Sequence, residues 1–400
     1  MDKMTEIPGE TMEKEYSLQA LTSEPDSNTI LRRLSQPISE NFSVEYYEIV
    51  FTGISMLLRP AAIIWNLLLA VEYYNLNKWN YFTWTLSYIL VPMVITTLLG
   101  IHMYVSDRKK ENKKICSKFL WLVVLCPFLF RYCKSLKYAL ISKHAERQND
   151  YAMQKKYYKI MIEEETDIAL IRIFESALEV APQKILQISI YLAGEDKMTW
   201  LQFLTICGCF FTLTWCIVGY HKNIRTIQPD KEKISIIGII VQIAWHFCIY
   251  VSRILSIATV ASIFPLPTII ACSLHAFLIG FFIFFFERPV FCSETICHRI
   301  MFSWSIGIVF IFTYISLKDV RTRNRYALYY ILCAIENLIF IVLYFNYANA
   351  EFKQSFFFIP LCTISFLSFY VGIFFMLVYY VRLHPNVLAR RDIFVSNSTT

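Results

Sequence analysis

Residues 171–187, IRIFESALEVAPQKILQ, place Arg172, Glu175, Glu179 and Lys184 inside an otherwise apolar run. Projected at about 100° per residue, Arg172, Glu175, Ser176, Glu179, Gln183 and Gln187 fall within a sector about 120° wide. A helix here therefore has one polar stripe, and Ile168, Ile171, Ile173, Phe174, Leu178, Ile185 and Leu186 make its other faces apolar. In a bilayer each ionised side chain costs about 2.5–3.5 kcal/mol, so such a stripe is paired, hydrated or put to use. Pro182 removes a backbone donor and predicts a break beside Glu179. Glu48, Arg59, Arg253 and Glu336 stand in other apolar runs. Two readings follow. Glu175, Glu179 and Glu336 pair with Arg59, Arg172 and Arg253 to staple a bundle, or the stripe lines a path for something polar.

The elements that hold these residues are membrane helices. Of the 400 residues 56% are apolar, 16% aromatic and 17% charged, and the mean hydropathy is +0.46, far from the values of a soluble domain. About 20 apolar residues cross a hydrocarbon core. Ten segments qualify, at 46–72, 81–105, 116–138, 167–193, 199–220, 235–263, 268–286, 300–317, 327–346 and 356–381. The N-terminus has no basic stretch leading into an apolar core, so no cleavable signal peptide is expected and the first span directs insertion.

Lys and Arg in short connections mark the cytoplasmic side. The connections at 106–115, 139–166, 221–234 and 318–326 are basic, and those at 73–80, 194–198, 264–267 and 347–355 are not. If every segment crossed, the basic connections flanking 116–138 would lie on opposite sides. That segment, with Pro127 and Arg131, is therefore expected to be re-entrant, and the same count makes 268–286 a second re-entrant element entering from outside. The expected fold is an all-α polytopic membrane protein with eight transmembrane helices, two re-entrant helices and both termini cytoplasmic. Residues 46–384 form the membrane domain, between a polar tail at 1–45, expected to be disordered, and a short tail at 385–400. Asn41 and Asn397 match the glycosylation pattern but fall on the cytoplasmic side, so neither is expected to be modified.

The chemistry is narrowed by what is missing. None of the ten Gly precedes a Lys, so no phosphate loop couples ATP, and neither HExxH nor GxSxG occurs. His221, His246, His275 and His298 are isolated, and the twelve Cys show neither a CxxC pair nor zinc spacing. No enzymatic activity, metal or cofactor is expected. Cys292 and Cys297, in one short loop, are candidates for a disulfide if that loop faces outward. The net charge of +7 reports cytoplasmic loops facing anionic lipid, not nucleic acid.

DIALIRIFESALEVAPQKILQISIYL (167–192) carries an acidic residue, an RIFE core, a second acidic residue and a Pro-Gln step. Together with Arg131–Tyr132, TWCIVGYHKNIRTIQPDK (214–231), Arg253 in YVSRILSIA, ENLIFIVLY (336–344) and FFMLVYYVRLHPN (374–386), it resembles the XK-related family. The resemblance covers about residues 45–386. It implies eight spans with two re-entrant helices, and for the family's scramblases a charged path along which lipid headgroups slip while acyl chains stay in the bilayer. Glu48, Glu175, Glu179, Arg253 and Glu336 match that path, and Arg172 and Gln183 join them from the stripe. The chain departs from the family at Ala62, Asn66 and Gly219, where acidic residues are common, and adds Arg59.

The resemblance implies a passive phospholipid scramblase of the plasma membrane that exposes phosphatidylserine in apoptosis. Caspase is then an expected partner: SEPD (23–26) followed by Ser27 offers Asp26 for cleavage in a polar tail, while Asp392 follows two arginines. Arg32 and Arg33 before Ser35 form a competing kinase signal. The alternative is a non-conducting scaffold that anchors a single-pass membrane glycoprotein or a lipid-transfer protein.

Overall fold

The computed structural model describes residues 43–44, 46–110, 127–195, 200–227, 233–287, 296–316, 323–385 and 387. Within them the chain is a helical bundle. In order come α1 (Tyr46–Asn75), α2 (Trp79–Lys110), α3 (Pro127–Arg147) and α4 (Tyr151–Glu175). A π-turn at Ser176–Val180 joins α4 to α5 (Ala181–Leu192). α6 (Trp200–Ile227), α7 (Ile236–Ala261) and α8 (Pro265–Phe282) follow, the last extended by a π-turn at Ile283–Glu287. α9 (Ile296–Val309), α10 (Arg323–Tyr347), α11 (Ala350–Lys353) and α12 (Phe358–Val378) complete the described order, with a terminal π-turn at Tyr379–Leu383.

Among the described residues seven stretches are long and apolar enough to cross a membrane: Thr52–Asn75, Trp79–Ser106, Gln202–Ile227, Ile236–Ala261, Pro265–Glu287, Arg323–Tyr347 and Phe358–Leu383. The run from α4 through α5 is not among them because its charges lower its hydropathy. It nonetheless occupies the middle of the bundle, with Ile171, Phe174, Glu179 and Ala181 almost fully buried. α7 is the second inner helix and buries Trp245, Arg253, Ile254 and Ala258. α1 is peripheral: only 12% of its apolar window is buried.

Local chemistry sets the corners. Asn77, at φ 56°, turns α1 back onto α2, and Tyr74 packs edge-on against Trp79 and Phe82. Asn149, at φ 57°, closes the α3–α4 hairpin. Asp150 then caps α4 by accepting from Met153 N. Val44, just ahead of α1, is buried with Ala139 of α3 and with Met161 and Ile162 of α4. Arg147 Nη2 donates to the Tyr46 hydroxyl at 2.7 Å.

One expectation is corrected by the register of α8. Phe264, before α8, packs on Tyr347 at the end of α10. His275 meets Glu336, and Glu287 pairs with Arg325 near the start of α10. These rungs run α8 antiparallel along the whole of α10, so the segment expected to be re-entrant at 268–286 goes from one end of the bundle to the other. α9 is the element that doubles back. Arg299 lies over Phe284, Trp304 on Phe277 and Gly307 against Ala276, after which Phe310 touches Tyr329 and Tyr314 touches Tyr326. The chain thus enters and leaves at the Arg325 end. Charge counting could not choose between the two members of this pair, because either one as the short element balances the sides.

The same register bears on the expected disulfide. Glu287 and Cys297, at the start of α9, lie towards the Arg325 end of α10. Cys297 is exposed; Cys292 lies outside the described residues. So do residues 111–126, which include 116–126 of the first expected re-entrant segment, while its remainder, 127–138, lies in α3.

Candidate functional site

The break expected at Pro182 takes the form of the π-turn. With no proline N–H available to the Leu178 carbonyl, the ladder loosens, and Ala181 N–H bonds to Ser176 O, five residues back. Glu175 and Glu179 sit at this irregularity, both buried.

Arg59 of α1 bridges the two carboxylates. Its Nε lies 3.4 Å from Glu175 Oε2 and its Nη2 contacts Glu179 Oε2. Asn66, two turns further along α1, donates from Nδ2 to Glu179 Oε1 at 3.4 Å. Arg59 and Asn66 of α1 therefore occupy the acidic pair. Among the described residues Arg172 forms no ion pair with a carboxylate: its guanidinium faces the Tyr132 ring at 5.4 Å. Ser176 Oγ points to Cys216 Sγ at 3.5 Å, which fastens the π-turn to α6.

A second network surrounds Arg253, which is 1% exposed. Nη2 bonds to Glu336 Oε2 at 2.7 Å, Nη1 to Asn337 Oδ1 at 2.7 Å and Nε to the Ile311 carbonyl at 2.9 Å. Asn337 Nδ2 donates to Ser252 Oγ, and Ser252 in turn donates to the Ser365 carbonyl of α12. His275 Nδ1 lies 2.6 Å from Glu336 Oε1, so this histidine is not isolated. One arginine thus joins α7, α10 and the turn after α9, while its neighbours reach α8 and α12. Arg131 plays a similar part on α3, where it bonds to Glu164 at 2.9 Å and Asp167 at 2.6 Å.

The opposite face of α5 lines an apolar cleft of about 780 Å³. Pro182, Ile185, Leu186 and Ser189 form one wall, and Ile257, Cys272, Ala276, Trp304 and Ile308 face them. Glu195 lies at its rim, where its carboxylate contacts the Tyr81 hydroxyl and its carbonyl accepts from Lys78 Nζ at 3.2 Å. α4–α5 is therefore polar towards α1 and apolar towards this cleft.

The structure brings Glu175 and Glu179 together in one site and Arg253 and Glu336 in another. Gln183 lies buried one turn beyond Glu179. Glu48 lies on α1, but its side chain is outside the described residues, as is Asp26. Reading along the chain missed His275, Asn337 and Ser252 as members of the Arg253 network. They carry no local signal, since their partners lie 61 to 113 residues away.

Set against known protein families, residues 50–385 match the one described as XK-related protein, so the match takes in the stripe, both arginine networks and the cleft. The chain is a polytopic helical membrane protein and belongs to the XK-related family.

Proposed function

We propose that the protein is a passive phospholipid scramblase of the plasma membrane, moving lipids that include phosphatidylserine, and that the state described above is its closed one. One observation carries this reading: a single inner helix run presents buried carboxylates on one face and a lipid-sized apolar cleft on the other. A headgroup needs donors and acceptors to replace its hydration, and acyl chains need an apolar wall. α4–α5 offers both within one helix diameter, about 10–12 Å. In the closed state Arg59 and Asn66 stand in for the headgroup at Glu175 and Glu179, so opening requires α1, which is peripheral, to give up these contacts.

In this reading eight spans cross the bilayer, the seven apolar ones and α4–α5, with α9 re-entrant from the cytoplasm and both termini inside. Caspase cleavage after Asp26 during apoptosis is the proposed trigger. The second reading is the scaffold, in which the saturated ion pairs are structural and the bundle anchors a single-pass glycoprotein or a lipid-transfer protein. The occupation of both Glu179 oxygens favours it.

The test is reconstitution of the full chain, a form lacking residues 1–26, and the same truncation with Glu175→Gln and Glu179→Gln, followed by dithionite quenching of a fluorescent phospholipid. The scramblase reading expects flux in the truncated form and its loss in the double variant. Absence of flux in all three folded proteins overturns it in favour of the scaffold.

A further inference from the structure

Lys184, the fourth residue of α5 in the same helix run, is 8% exposed. Its Nζ donates to Gln187 Oε1 at 3.0 Å, and among the described residues no carboxylate pairs with it. The other charged side chains at these depths are compensated: Arg59 by two carboxylates, Arg253 by Glu336, Arg172 by an aromatic face. A buried ammonium held by one neutral amide is an exception that desolvation makes costly.

A second observation lies on the same turn. Gln183 is 1% exposed, and among the described residues its Nε2 has no hydrogen-bond partner, although buried amides nearly always find one. Gln183, Lys184 and Gln187 project within about 100° of one another. One turn beyond Glu179 the helix therefore changes from acceptors, both of them occupied, to donors in excess. The excess calls for an anion with several acceptor oxygens.

We infer that Lys184, with the amides of Gln183 and Gln187, forms a phosphate subsite that takes the phosphodiester of a phospholipid headgroup. The chemistry alone would also suit inorganic phosphate, but the position, inside a membrane-length bundle and on the helix that walls the cleft, favours the lipid. Glu179 lies about 7.5 Å along the axis from Lys184, so a headgroup whose phosphate rests at Lys184 directs its amine towards the acidic pair once Arg59 withdraws. The binding claim stands without transport; only its use in flux rests on the scramblase reading.

The binding arm uses the purified full chain, wild type and Lys184→Met, Lys184→Gln and Lys184→Arg, with melting followed against dihexanoylphosphatidylcholine, dihexanoylglycerol and inorganic phosphate. The phospholipid is expected to raise the melting temperature of wild type and Lys184→Arg, with about tenfold weaker affinity in the two neutral variants, the loss of roughly one charge-assisted hydrogen bond. Dihexanoylglycerol is expected to act alike on all four proteins. Equal phospholipid affinity in wild type and Lys184→Gln overturns the subsite, and stabilisation by inorganic phosphate at the same concentration overturns its assignment to lipid. Lys184→Met, which removes a poorly compensated buried charge, is expected to melt no lower than wild type without ligand. A lower melting temperature in both neutral variants, with phospholipid affinity retained, marks Lys184 as structural and also overturns the subsite. In liposomes, Lys184→Gln is expected to slow a fluorescent phospholipid about tenfold and leave a phosphate-free glycolipid unchanged. If no lipid moves in any form, the scramblase reading fails, and the binding arm still decides the subsite.

Discussion

Arg59 contacts both Glu175 and Glu179 from 120 residues before Glu179 in the chain. Removing the cation leaves two buried carboxylates uncompensated, whereas removing all three charges leaves none. Arg59→Met is expected to lower stability by about 3–5 kcal/mol, and adding Glu175→Gln and Glu179→Gln is expected to restore most of it. Detergent melting of the single, double and triple variants measures this; additive losses would deny the coupling.

Arg253 makes three side-chain hydrogen bonds and its neighbour Asn337 makes two, so their losses are expected to rank accordingly. Arg253→Met leaves Glu336 half-stranded and should cost about 3 kcal/mol or more. Asn337→Ala should cost about 1–2 kcal/mol per broken buried bond. Melting temperature and surface yield read the order, and a reversed order would remove Arg253 from its place as the hub of five elements.

Much of this was legible in the sequence, because membrane helices announce themselves by length and apolarity, and charges stand out against that background. The stripe on 171–187 and the weakness at Pro182 followed from 3.6-residue periodicity and a missing N–H. The partners did not follow. Ion pairs between helices depend on which faces meet, and nothing local to His275 or Asn337 points at Glu336 or Arg253. The choice between 268–286 and α9 as the element that turns back failed for another reason: charge counting fixes the sides of loops, while the rungs Phe264–Tyr347 and Glu287–Arg325 fix the path between them.

Gly307 and Gly219 make a controlled pair. A Cβ on Gly307 would sit 2.3 Å from the Ala276 carbonyl oxygen, whereas one on Gly219 meets nothing within 4 Å. Gly307→Ala must push α9 from α8 and is expected to lower the melting temperature by several degrees, at about 1–3 kcal/mol for overpacking. Gly219→Ala is expected to be neutral or to gain up to about 1 kcal/mol of helix propensity.

Cys297 reports the path of α8. With Glu287 at the Arg325 end, a chain retaining Cys297 as its single cysteine should resist a membrane-impermeant maleimide on intact cells and react after permeabilisation. Labelling of intact cells would return the re-entrant role to 268–286 and the 288–295 connection to the outside.

The burial of Val44 between α3 and α4 constrains how any signal from the N-terminal tail can work. Tension applied upstream is borne by the hairpin at Ala139, Met161 and Ile162 before it reaches Arg59, fifteen residues further on. A cut after Asp26 leaves this fastening untouched, so it does not unhook α1 by itself. Val44→Asp, which loosens the fastening with the tail intact, is the substitution that separates release of α1 from loss of the tail alone.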